Sequence, residues 1–156
     1  GFHIAKIDQT EFTARVAEVL INEGIQPNLD TLDTYVKATY PDLRKCINMV
    51  QMNTVNGQLV APADGDTGEA DYKIEMVDLF KAGKILEARK LLCGRVRPEE
   101  MEEIYRWMYD NINLFGDTSE KQDQAVLIIK QGMVDHTLVV DPEINLAATL
   151  IRLARL

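Results

Sequence analysis

The chain has 156 residues, with 17 Lys/Arg against 25 Asp/Glu and a formal net charge of −8. That length holds one ordinary domain or two small ones with a core of useful size. The acidity argues against a surface whose main task is to neutralise phosphates: residues 1–60 carry five bases and seven acids, residues 71–156 twelve and fifteen, so neither half is a nucleic-acid magnet.

Ile7, Phe12, Val16, Val19 and Leu20 recur at helical spacing and predict a first helix from about Asp8 to Glu23, ended by Gly24. A turn follows at Gln26-Pro27-Asn28, and Leu29, Leu32 and Val36 predict a short second helix beside Tyr35. Pro41 is expected to open a third helix, where its missing N–H costs nothing. Leu43, Ile47, Met49 and Val50 are its expected buried face, and Asn56-Gly57 stops it. Residues 58–70 carry one proline, two glycines and three acids without helical period, which reads as a linker.

Periodicity resumes at Tyr72. Ile74, Val77, Leu79 and Phe80 lead to a break at Lys81-Ala82-Gly83, and Ile85, Leu86, Ala88, Leu91 and Leu92 continue up to Gly94. Pro98-Glu99-Glu100 predicts a helix to about Asn111 that buries Met101, Ile104, Tyr105, Met108 and Ile112. Thr118 or Ser119 caps a helix over about Glu120–Met133, with Ala125, Val126, Ile128 and Ile129. Asp141-Pro142-Glu143 starts the last helix, which carries Leu146, Leu150 and Leu153. Leu138-Val139-Val140 is β-like but too short to pair. The expected fold is all-α: a three-helix bundle over 1–60, a linker over 61–71 and a five-helix bundle over 72–156.

The residues offer little self-contained chemistry. There is no phosphate-binding Gly-x-x-x-x-Gly-Lys-[Ser/Thr] loop, no dinucleotide glycine fingerprint and no Gly-x-Ser-x-Gly elbow. Cys46 and Cys93 stand far apart in apolar helical contexts and read as reduced core thiols. With the isolated His3 and His136 they form no zinc pattern, so no metal ligands are expected. His136 reads as a capping or surface residue. Trp107 with Tyr105 and Tyr109 reads as core, and Glu99, Glu100, Glu102 and Glu103 as a solvated helix N-terminus. Lys90, Arg95 and Arg97 around Gly94 read as a solvated turn, with a phosphate contact as the other possibility. No apolar run approaches the roughly 20 residues needed to cross a bilayer. No secretory leader is present either, so a cytoplasmic location without a membrane partner is expected. The chain starts Gly1-Phe2-His3-Ile4 without an initiator Met, which reads as processing or, the favoured reading, as an excised piece of a longer protein.

One segment is more specific. Pro41-Asp42-Leu43-Arg44-Lys45-Cys46-Ile47-Asn48-Met49-Val50-Gln51 sets an Arg in the first turn of a helix, with Asn48 four residues on and Gln51 three beyond that. It resembles the Gly-Asp-x-Arg-x-x-x-Asn-x-x-Gln segment of clamp-loader AAA+ ATPases, which include replication factor C small subunits, with Pro41 where that family usually has Gly. Glu23-Gly24-Ile25 resembles the turn that opens the family's lid. Phe80 to Leu92 resembles the start of its five-helix collar, and residues 135–156 its close. The brevity of the collar and the linker put it nearest the T-even-type bacteriophage loader, for which the location becomes the host-cell cytoplasm.

The resemblance implies a lid-plus-collar region in which Arg44 is the "sensor 2" residue reaching the nucleotide γ-phosphate. The collar, with Leu146, Leu150 and Leu153 as candidates, would join identical subunits and a distinct loader subunit in a ring. The family's phosphate loop and Walker B acid have no counterpart in these residues, so this region alone would hold no nucleotide or catalytic residue set. The intact ATPase would use ATP and Mg to load the sliding clamp onto primer–template DNA. The alternatives are a relative that has lost ATP binding and a stand-alone helical adaptor or oligomerisation module without nucleotide chemistry.

Overall fold

The structure, a computed structural model, describes residues 7–61 and 72–156. The expected linker over 61–71, apart from Ala61, and His3 lie outside the described residues. The fold is all-α: eight α-helices and one two-stranded hairpin among the described residues. The chain divides into two compact units, Gly1–Ile74 and Glu75–Leu156.

In the first unit, α1 (Gln9–Asn22), α2 (Leu29–Thr39) and α3 (Leu43–Met52) pack pairwise. Each start has a side-chain cap: Asp8 accepts from the Glu11 N–H, Asn28 from Asp30 and Thr31, and Asp42 from Lys45. Gly24, at φ 75°, ends α1; its N–H donates to the Ile21 carbonyl and that of Ile25 to Leu20, the paired bonds of a glycine-terminated helix. Phe12, Val16 and Leu20 of α1 meet Leu32, Tyr35 and Val36 of α2 and Cys46 and Val50 of α3 in the core. The Phe12 ring stands edge-on to Tyr40 at 5.3 Å.

Two expectations need correction here. Pro41 does not open α3. Asp42 is extended and its carboxylate takes the Lys45 N–H at 3.0 Å, so the helix begins at Leu43 and Pro41 lies outside it, after a cis Tyr40–Pro41 bond. Residues 58–60 are not linker. Strands β1 (Thr54–Val55) and β2 (Gln58–Leu59) form a hairpin, Leu59 is buried, and the Val60 carbonyl accepts from the Tyr35 hydroxyl at 2.7 Å. A two-residue strand is too short to show a period, which is why composition read as linker.

The second unit takes in α4 (Tyr72–Lys81) from Glu75 onward, α5 (Ile85–Arg95), α6 (Met101–Asp110), α7 (Ser119–His136) and α8 (Pro142–Ala154). A 3-10 turn over Pro98–Glu100 precedes α6, and Ile112–Phe115 forms another after it. Gly83, at φ 75°, ends α4 with the same paired bonds as Gly24. Helix α8 packs against α5 and α7, and α7 against α6. Phe80 lies between Trp107 at 6.0 Å and Phe115 at 5.0 Å.

Helix α7 runs past the expected Met133 to His136, with Gly132 inside it, close against Thr149 and Tyr105. Ile112 is only half-buried; Phe115 takes the core position. Leu146, Leu150 and Leu153 are buried within their own unit, which corrects their candidacy for a ring contact. The residues α8 leaves exposed include Ile144, and Leu138 and Val140 are exposed in the α7–α8 connection.

Candidate functional site

The segment singled out in the sequence covers the whole of α3 except its last residue, Met52. Its apolar side, Cys46 and Val50, is buried against α1 and α2. Arg44, Asn48 and Gln51, at i, i+4 and i+7, share the opposite, exposed side. Arg44 is the second residue of the helix, where unpaired backbone N–H groups and the helix dipole favour an anion. It has no hydrogen bond or ion pair among the described residues. Its fork of five donors is therefore free for a phosphate or carboxylate group, which it can grip through two parallel bonds.

The far end of the same face is anchored. The Gln51 Nε2 donates to Glu23 Oε1 at 2.8 Å, and Glu23 is the residue that closes α1 just before Gly24. The Gln26 N–H donates to the Gly57 carbonyl at 2.9 Å, and the Leu59 N–H to Gln26 at 3.4 Å. The turn after α1 is thus tied to the exit of α3 by one side-chain and two backbone bonds. Gln51 was legible as part of a motif. Its partner Glu23, 28 residues earlier, belongs to the turn singled out after the first helix, but nothing in the sequence pairs the two.

Cys46, beneath this face, is packing and not chemistry. Burial pushes its thiol up to about 11, with the hydrogen bond to the Thr39 side chain pulling the other way and the Asp42 charge adding to the rise. Burial also raises the Cys93 thiol, helped by Glu143.

Elsewhere the structure settles several candidates. Arg97 is held by Glu100 at 2.8 Å, with Glu99 at 3.8 Å, while Lys90 and Arg95 are exposed. Trp107 is core, as is Tyr105, whereas Tyr109 is exposed beneath the Arg106 guanidinium. His136 is the last residue of α7, its ring tilted against Tyr105 at 5.8 Å and its Nδ1 buried without a partner among the described residues. It neither caps nor lies free on the surface. No group of three or more His, Cys, Asp or Glu among the described residues is arranged to hold a metal ion. No helix among them is long and apolar enough to cross a membrane.

A buried polar lock in the second unit escaped the sequence. The Asn145 Nδ2 donates to the Tyr105 hydroxyl and to the Gly132 carbonyl, both at 2.9 Å, and the Thr149 hydroxyl donates to the Asn145 carbonyl at 3.0 Å. Burial raises the Tyr105 hydroxyl despite these partners. The available signal was Asn145 and Thr149, four apart inside the apolar stripe of α8: polar groups at core positions are kept where partners satisfy them.

No family model matches the chain. No solved structure matches it either. Among curated proteins it is similar to the replication factor C small subunit of Sulfurisphaera tokodaii, with 28% identity over 172 aligned positions. The alignment takes in 98% of this chain and 49% of that protein, so the chain spans about half the length of this relative. The similarity runs along both units and supports, for the whole chain, the clamp-loader small-subunit resemblance first carried by residues 41–51.

Proposed function

We propose that this chain is the lid and collar of a sliding-clamp-loader ATPase subunit, with the lid over 1–60, a linker over 61–71 and the collar over 72–156. The observation that carries the reading is the exposed, unpartnered Arg44 at the start of α3, in line with Asn48 and Gln51. In this reading Arg44 is the sensor 2 residue. Its guanidinium holds the terminal phosphate of ATP bound in an upstream nucleotide domain, and ATP with Mg supplies the phosphoryl chemistry there.

An arginine reaching across from a separate helical unit suits that task. It senses whether the last phosphate is present and draws the lid toward the nucleotide only while it is. Glu23 and Gln51 hold the far end of α3, so a pull on Arg44 moves the bundle as a body. The second unit joins identical subunits and a distinct loader subunit in a ring, and the intact complex places the clamp on primer–template DNA in the cytoplasm. The small size of the second unit and the acidic residues of 61–71 favour the T-even-type bacteriophage form of the machine.

The test is Arg44→Ala in the intact protein. The expected result is a loss of ATP hydrolysis and clamp opening of tenfold or more, on the order seen when one charge-stabilising group is removed from a transition state, with folding unchanged. Unchanged activity would leave the helical adaptor or oligomerisation module as the better reading.

A further inference from the structure

Asn56 and Gly57 form the two-residue loop between β1 and β2, at φ 53° and 76°, the left-handed pair that a tight hairpin turn requires. Asn56 is the only asparagine in the chain that is followed by glycine. Both residues are exposed. Neither the Asn56 side-chain amide nor the Gly57 N–H has a hydrogen-bond partner among the described residues. The nucleophile and the electrophile of an intramolecular reaction therefore sit side by side, wet and untethered.

We propose that Asn56–Gly57 is a self-modification site that loosens the first unit as it ages. The Gly57 nitrogen attacks the Asn56 side-chain carbonyl carbon, forming a five-membered imide. The bond from that carbon to Nδ2 breaks, and ammonia leaves with the proton lost from Gly57. Solvent water then opens the ring at either carbonyl, giving aspartate or an isoaspartyl link that adds one methylene to the main chain. Nothing is oxidised or reduced.

Glycine at 57 is what makes the attack accessible, since no side chain shields the nitrogen or restricts rotation toward the carbonyl carbon. The strands on either side are two residues long, so local opening into the reactive geometry is cheap. The consequence follows from what the turn holds. The Gly57 carbonyl takes the Gln26 N–H at 2.9 Å, and a Cβ at 57 would stand 3.6 Å from the Gly24 carbonyl oxygen. An extra methylene in a two-residue loop cannot keep that carbonyl in place, so the seam between the turn after α1 and the exit of α3 is released.

The test is to hold the native full chain at mildly alkaline pH for days and map its peptides by mass spectrometry, with the same chain in urea alongside. The expected result is conversion at Asn56 ahead of every other asparagine, mostly to the isoaspartyl form. The aged chain should have a lower urea midpoint than the fresh chain. Asn56→Asp, which adds the charge without the methylene, should keep the fresh midpoint. Retention of the Asn56 amide in the native chain, whether or not the urea sample converts, overturns the proposal. So does an aged, isoaspartyl chain as stable as the fresh one.

Discussion

The two units solve the same packing problem differently. The first packs Phe12, Leu20, Leu32 and Val50 together, and the polar side chains it buries, Thr34, Lys37 and Thr39, bond to residues of their own helix α2, while Arg44 stands unpaired and Gln51 meets Glu23 at the surface. The second buries a polar lock that joins separate helices, with Tyr105, Asn145 and Thr149 gathered beside Gly132 of α7. A core held by apolar contact leaves its surface side chains free to act on something else. A hydrogen-bonded core fixes the mutual position of its helices, which suits a part whose task is to stay rigid.

The sharpest break of this contrast comes from truncating the first core. Phe12→Ala removes a fully buried ring and should lower stability by about 4 kcal/mol, read as a fall in the urea midpoint. Gly132→Ala attacks the second unit. Helix propensity alone favours Ala by about 1 kcal/mol. The added Cβ, however, would lie 2.6 Å from Thr149 Oγ1 and 2.7 Å from Tyr105 Cε1. The clash should win by about 2 kcal/mol, and the pair Gly132→Ala with Thr149→Ala, which removes the oxygen at 2.6 Å, should recover part of it.

The buried thiol of the first unit gives a pH signature. Its folded value, about 11, lies above the ordinary 9.0, so the folded state holds this proton more tightly than the unfolded one. The stability is fully present below pH 9.0 and is lost as pH rises from there toward about 11. The loss should reach on the order of 2 kcal/mol, and Cys46→Ala should abolish that part of the slope. Gln51→Ala is the gentlest perturbation. An exposed hydrogen bond is worth about 0.5 kcal/mol, so thermal denaturation should barely register it.

Much of the fold was legible because local rules govern it. Gly24 and Gly83 end their helices through the left-handed turn that glycine permits, and Asp8, Thr118 and Asp141 cap as their residue types suggest. The misreadings arose where a nearby residue overrode the obvious one. Asp42 caps α3 and moves its start from Pro41 to Leu43, and α7 runs on past Met133 to His136 with Gly132 packed inside it. Of the site, the spacing of Arg44, Asn48 and Gln51, four and then three residues apart, is the spacing of one helix face. The Glu23 anchor and the Tyr105–Asn145 bond join residues 28 and 40 positions apart, a separation over which no periodic pattern speaks.

The most direct measurement is ATP hydrolysis by the intact protein carrying Arg44→Ala, set beside Arg44→Lys and a urea titration of each. The account predicts wild-type urea midpoints and a loss of hydrolysis of about tenfold or more in Arg44→Ala, only partly restored by lysine, which keeps the charge but not the two-pronged grip. Wild-type hydrolysis in the alanine variant would contradict it and return Arg44 to the status of a surface residue.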